Sequence, residues 1–159
     1  MVKLAAHSIE IDLPRGWDGR IYQHPGRDPI LHAANFALPH EDGDFGSGAT
    51  AQMPHGGAFL VLKEYRPGPR LVPGSGLFAA SAITLPLEPR WFHPRALQVG
   101  RSGQAGLQQF FTSAGRPFCL YAVIKGPAGG PPVAVPAHDR DQADHLSRIL
   151  TTLRIHRRG

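Results

Sequence analysis

The 159-residue chain is 42% hydrophobic and 18% charged, which excludes an intrinsically disordered protein and predicts one globular domain over residues 1–159. Its formal net charge of +5 comes mainly from arginines dispersed along the sequence, with one cluster at residues 154–158, so the charge alone does not indicate a nucleic-acid partner. The single cysteine, Cys119, excludes an internal disulfide and a cysteine-based zinc site, and we expect a small buried hydrophobic residue there.

The N-terminal segment predicts strands that are separated by turns. Residues 8–13 alternate apolar and acidic side chains, which is typical of a strand with one solvent-exposed face. A Pro-Arg-Gly turn follows, and residues 17–22 are predicted to return as the second arm of a hairpin. Residues 30–38 form the next apolar run, whose spacing also suits a short helix, and we favour a strand.

The middle of the chain is less regular. Residues 39–57 are rich in glycine, acidic residues and histidine and predict an irregular segment. Alternation predicts strands at residues 57–65, 96–99 and 106–112. Residues 77–85 are apolar and allow either a helix or a strand. The prolines between these runs predict irregular connections.

The C-terminal third has the clearest pattern. Residues 116–125 are apolar on both alternating sides, which predicts a strand covered on both faces. Residues 126–136 contain four prolines and three glycines and predict a loop. Asp139 is then predicted to be a helix N-cap, with Gln142 completing a capping box. The helix would bury one apolar stripe: Ala143, Leu146, Ile149, Leu150 and Leu153. Residues 153–156 are predicted to be extended.

These elements predict an α+β fold. Strands outnumber helices, and we predict a mainly antiparallel, twisted sheet with the C-terminal helix packed on one face. The cytoplasm is the expected location, because residues 1–6 are too short for the apolar region of a signal peptide and no run of 18 apolar residues predicts membrane insertion.

Three groups of residues are candidates for function. The aromatic cluster Trp91, Phe92 and His93 lies between prolines and is a candidate partner surface. Arg154, Arg157 and Arg158 could contact an anionic polymer such as nucleic acid. His40, Asp42, Asp44 and His55 could serve a metal-assisted or acid–base enzyme. This last segment lacks the spacing of a calcium loop or a zinc-protease motif, and a solvated acidic turn is the simpler interpretation.

The chain contains neither a phosphate-binding glycine loop nor a G-x-S-x-G nucleophile motif. We therefore predict no catalytic residue, no cofactor and no metal ligand, and favour a non-catalytic role.

Two motifs resemble the PsbP-like superfamily, and in particular its small bacterial members. Residues 13–17 read LPRGW, and residues 143–155 read ADHLSRILTTLRI, which is similar to the opening turn and the closing helix and strand of that superfamily. The resemblance implies an α-β-α sandwich and a binding role, because known members include extrinsic photosystem proteins and a Ran-binding nuclear transport factor. We therefore expect a protein-interaction or assembly module of a bacterial cytoplasm. Its partner would be a protein, with nucleic acid a weaker alternative and a homo-oligomer left open.

Overall fold

The computed structural model describes residues 1–127 and 136–158, with side chains of the last helix described from residue 141. Its strands are β1 (Val2–Ala6), β2 (Ile9–Leu13), β3 (Asp18–Tyr22), β4 (Ile30–Ala34), β5 (Ala58–Glu64), β6 (Gln104–Ser113), β7 (Arg116–Lys125) and β8 (Arg154–Ile155). Its helices are α1 (Ser47–Ala51) and α2 (Pro136–Leu150), and 3₁₀ turns form at Gly76–Phe78, Pro89–Trp91 and Pro94–Ala96. The predicted α+β class is confirmed.

The described strands form two antiparallel sheets. The smaller sheet has the order β1-β2-β8, and the larger sheet has the order β3-β4-β5-β7-β6. The predicted hairpin between residues 8–13 and 17–22 is therefore wrong, because β2 pairs with β1 and β8 while β3 crosses to the larger sheet and pairs with β4. The Pro-Arg-Gly turn carries the chain from the smaller sheet to the larger one and does not form a hairpin.

One face of the larger sheet packs against the smaller sheet and α2. The core on this side takes alternate residues of β5 and β7, the inward side chains of β2 and the apolar stripe of α2. Leu146 and Ile149 are buried in it, as predicted from their helical spacing. The two-sided burial predicted for residues 116–125 is also confirmed, since β7 lies between β5 and β6 and is buried along almost its whole length.

The opposite face of the larger sheet is covered by α1 and its flanking loops. Phe59, Val61 and Tyr121 project into this second core, where Ala49 and Met53 pack on them. Helix α1 was not predicted, because five small and polar residues carry no apolar periodicity. Gly46, which precedes it, has φ 70°, and a Cβ there would overlap the Phe59 ring, so the approach of α1 to the sheet requires glycine.

The start of α2 differs from the prediction. The helix begins at Pro136, where proline is tolerated because the first turn lacks internal acceptors for its N–H groups. Asp139 therefore lies inside the first turn, and its side chain is outside the described residues. Gln142 does not complete a capping box, because its Oε1, the acceptor that the box needs, forms no hydrogen bond with the described residues, and its Nε2 donates to the carbonyls of Gly57 and Lys125.

Other predictions have mixed outcomes. The predicted loop at residues 126–136 falls mostly on residues 128–135, which lie outside the described residues. No strand forms at residues 96–99, where the chain leaves a 3₁₀ turn, and residues 77–85 form neither a strand nor an α-helix beyond one 3₁₀ turn.

Cys119 is buried as expected, and burial raises the pKa of its thiol to about 12. Within the described ranges, no helix is long and apolar enough to cross a bilayer.

Candidate functional site

The outer edge of β6 is open over a short stretch. Gly106 exchanges two backbone hydrogen bonds with His93, at 2.8 and 3.0 Å, so the even-numbered residues of β6 point their N–H and C=O groups away from β7. Six residues later, the N–H of Thr112 donates to the carbonyl of Ala80 at 2.8 Å. Between these contacts, the outward backbone groups of Gln108 and Phe110 form no hydrogen bond with the described residues. The edge of β6 therefore has a gap between two hydrogen-bonded ends. In this gap the outward backbone groups of Gln108 and Phe110 are unpaired within the described residues.

A shallow groove of about 370 Å³ follows this gap. Its lining is uncharged and consists of Ala80, Ala82, Thr84, Trp91, Leu107, Gln108, Gln109 and Phe110. Residues 107–110 of β6 form one side of the groove, and the segment between the first two 3₁₀ turns provides the opposite wall. Because an unpaired strand edge is a template for another extended chain, this arrangement can bind a peptide backbone.

The wall of the groove is held in place by the side-chain amide of Gln109, which hydrogen-bonds to a backbone N–H and C=O as a neighbouring strand would. The Gln109 amide accepts a hydrogen bond from the N–H of Thr84 at 2.8 Å and donates to its carbonyl at 3.2 Å. The hydroxyl of Thr112 donates to the carbonyl of Phe78 at 2.7 Å. The groove is therefore pre-organised, which reduces the ordering cost of binding.

The predicted aromatic cluster is divided by this arrangement. Trp91 is half-buried and lines the groove, whereas Phe92 is buried in the core. His93 closes one end of the gap through its backbone, and its Nδ1 accepts a hydrogen bond from the N–H of Arg95. Sequence reasoning found Trp91 but missed Gln108 and Phe110, because only the position of the distant segment shows which part of β6 stays open.

The histidine and acid segment does not form one site. Both oxygens of Asp42 are occupied by the N–H groups of Gly43, Gly48 and Ala49. His55 lies elsewhere, with its Nδ1 3.4 Å from the carbonyl of Gly126. Among the residues with described side chains, no group of three or more His, Cys, Asp or Glu could hold a metal ion.

Asp44 is engaged in ion pairs. Its Oδ2 lies 2.7 Å from Lys63 Nζ and 3.7 Å from the guanidinium of Arg27. Partial burial alone would raise the pKa of Asp44, but the hydrogen bond and charge of Lys63, together with Arg27, outweigh burial and lower that pKa. Asp44 is thus an ionised structural residue. Two of the four residues predicted for an enzyme site, His40 and Asp42, line the same cleft.

The C-terminal arginines have different environments. Arg154 donates to the carbonyls of Thr151 and Leu153. Arg158 forms ion pairs with Glu64 at 2.8 Å and Asp28 at 3.3 Å, while Arg157 is exposed. The three side chains therefore do not form one cationic patch with equal access to an anion.

Comparisons with protein-family models, with curated proteins and with solved structures found no match.

Proposed function

We propose that the protein is a non-catalytic interaction module of a bacterial cytoplasm that binds an extended segment of another protein at the edge of β6. The open backbone groups of Gln108 and Phe110, set in a pre-organised groove, carry this proposal. An added strand would satisfy these groups by main-chain hydrogen bonds, which is the usual mode of recognition by β-augmentation.

The short gap favours a single peptide segment over a second copy of the chain. Gly106 and Thr112, which close its ends, are six residues apart, or about 20 Å along a strand. Pairing of β6 with β6 of a second copy would bring the walls of both molecules together at these ends. A peptide that crosses the gap as one strand avoids this contact.

The groove also defines the chemistry of the segment. A charged side chain would lose water against an uncharged lining without gaining a partner, which costs free energy. Trp91 and Leu107 offer apolar contact on one side, so an apolar side chain should anchor the peptide there. The expected ligand is a short, extended, uncharged segment with an apolar anchor.

The alternative of an acid–base or metal-assisted enzyme in the segment 40–55 has less support, because Asp42 and Asp44 are engaged in structural contacts. Binding of an anionic polymer also has less support, because Arg158 is already paired with two carboxylates.

Selection of peptides from a random 12-residue library on the immobilised protein tests the proposal. The selected peptides should be uncharged in their shared segment and should shift the amide resonances of Gln108 and Phe110. Binding should be lost in Ala82→Glu, which puts a charge in the groove, and kept in Ala79→Glu, which puts one on an exposed position outside the lining. Peptides that bind Ala82→Glu normally would contradict the proposal, as would broadening of the same amides with protein concentration alone, which would assign the edge to a second copy.

A further inference from the structure

A second cavity lies at the other edge of the larger sheet. It has a volume of about 320 Å³ and lies between strands β3 and β4 and the loop at residues 38–42. The loop is fastened over the strands by a hydrogen bond from Arg20 Nη1 to the carbonyl of His40, at 2.7 Å, and by one from the N–H of Leu38 to Asp18 Oδ2, at 2.8 Å. The cavity is lined by Arg20, Tyr22, His24, His32, Leu38, Pro39, His40, Glu41 and Asp42.

His32 is the buried polar residue of this cleft, with 2% of its surface exposed. Its Nε2 lies 2.8 Å from the carbonyl of Asp44 and 3.3 Å from the hydroxyl oxygen of Tyr22. A carbonyl can only accept, so Nε2 carries the hydrogen and Nδ1 holds the lone pair of the neutral ring. Burial lowers the pKa of His32, despite the opposing effects of the Asp44 carbonyl and the nearby carboxylates.

This tautomer leaves the hydroxyl hydrogen of Tyr22 available. Because Nε2 of His32 is a donor, the Tyr22 oxygen can only accept from it, and the phenol must donate elsewhere. Burial, followed by the charges of Asp44 and Asp42, raises the pKa of Tyr22 to about 12. The phenol therefore stays protonated and remains a hydrogen-bond donor at neutral pH.

Most acceptors around the cleft are already used. Three backbone N–H groups occupy the Asp42 carboxylate, Arg20 occupies the carbonyl of His40, and His32 occupies the carbonyl of Asp44. By contrast, Nε and Nη2 of Arg20 form no hydrogen bond with the described residues. The carboxylate of Glu41 is on an exposed residue at the rim and can stay in water. The cleft thus offers donors to a ligand rich in acceptors.

We infer that this cleft binds a small carboxylic acid with an apolar or aromatic body. The carboxylate would accept hydrogen bonds from Arg20 and Tyr22, since a guanidinium with free donors matches the geometry of a carboxylate. Leu38 and Pro39 would contact the body of the ligand. The charges of Asp42 and Asp44, which also raise the pKa of Tyr22, oppose a bound anion, but three backbone amides at Asp42 and the ion pair of Asp44 with Lys63 offset part of this repulsion.

The size of the cavity limits the ligand. Small-molecule sites have volumes of roughly 300–1,000 Å³, and this cleft is near the lower end of that range. A single-ring carboxylate is therefore a better match than a nucleotide or an acyl chain. Benzoate is a suitable probe, and benzamide is its neutral counterpart of similar shape.

A titration of the isotope-labelled protein at pH 7 with benzoate, benzamide and inorganic phosphate tests the inference. Benzoate should shift the Arg20 amide and the His32 ring in a saturable manner, and benzamide and phosphate should bind at least about tenfold more weakly, because each lacks the charge or the apolar body. Equal binding of benzamide or phosphate, or the absence of a saturable shift, would overturn the inference.

Two variants locate the binding. Arg20→Gln and Tyr22→Phe should each weaken benzoate binding about five- to tenfold. Arg15→Gln, in an exposed turn outside the cleft, is the matched control and should bind as the wild type does. Wild-type affinity in both cleft variants, with folded spectra, would place benzoate elsewhere and overturn the inference.

Discussion

The guanidinium of Arg116 binds the carboxylate of Glu64 through two hydrogen bonds of 2.7 and 3.1 Å, and both residues are buried. The same guanidinium donates to the carbonyls of His7, Ser8 and His156. His7 and Ser8 form the turn between β1 and β2, and His156 follows β8. One side chain at the start of β7 therefore joins the larger sheet to the smaller one.

Replacement of Arg116 should strongly destabilise the fold. In Arg116→Met the carboxylate of Glu64 would remain buried without its main partner, and three carbonyls would lose a donor, so we expect a loss of about 3–5 kcal/mol in the free energy of unfolding. Denaturant unfolding measures this loss. Arg70→Met, at an exposed position, should unfold like the wild type. A loss below about 1 kcal/mol in Arg116→Met would show that the two sheets are joined in another way.

The C-terminal arginines should differ in their contribution to stability. Arg158 is paired with Glu64 and Asp28 but is half exposed, so Arg158→Ala should cost about 1 kcal/mol. Arg157→Ala should cost almost nothing, because Arg157 is exposed. Thermal unfolding of the two variants side by side measures the difference, and equal melting temperatures would contradict the pairing of Arg158.

The apolar stripe of α2 should contribute strongly to stability. Leu146 and Ile149 are 0% and 1% exposed, so Leu146→Ala and Ile149→Ala should each cost about 2–4 kcal/mol. Asp144→Ala, on the exposed side of the same helix, is the control. If both core variants melted like the wild type, α2 would not pack on the sheet as described.

Stability should decrease as the pH falls below the ordinary pKa of histidine. Burial lowers the pKa of His32 from 6.5, so the unfolded state binds more protons than the folded state below pH 6.5. The contribution of neutral His32 to the free energy of unfolding is complete above pH 6.5 and is lost as the pH falls through the folded-state pKa of His32. His145, whose pKa is lowered by burial and by Arg148, acts in the same direction. His32→Phe should therefore flatten the stability profile between pH 6.5 and 5, and an unchanged slope would contradict a buried neutral His32.

Local patterns predicted most of the larger sheet and the final helix. The apolar patterns of β5, β7 and α2 are local signals. Each predicts one element, and the structure contains all three. The partner of β3 could not be predicted, because a Pro-Arg-Gly turn suits both a hairpin and a change of sheet. The pair of Arg116 and Glu64, 52 residues apart, has no sequence signal at all.

Both candidate sites also depend on contacts between residues that are far apart in the sequence. Trp91 was predicted as an aromatic in a proline-rich segment, but its groove exists because Ala80 and His93 close the edge of β6 on either side of a gap. His32 was one of several histidines in the sequence. Only the fold shows that it is buried beneath the loop at residues 38–42, next to Tyr22.

Amide hydrogen exchange along β6 tests the proposed binding edge most directly. In the free protein, the amides of Gln108 and Phe110 should exchange quickly, while those of Leu107 and Gln109, which face β7, should be protected. Saturation with a peptide selected on the protein should slow the first pair and leave the second pair unchanged. Slow exchange of Gln108 and Phe110 in the free protein, or fast exchange in the presence of saturating peptide, would contradict the account.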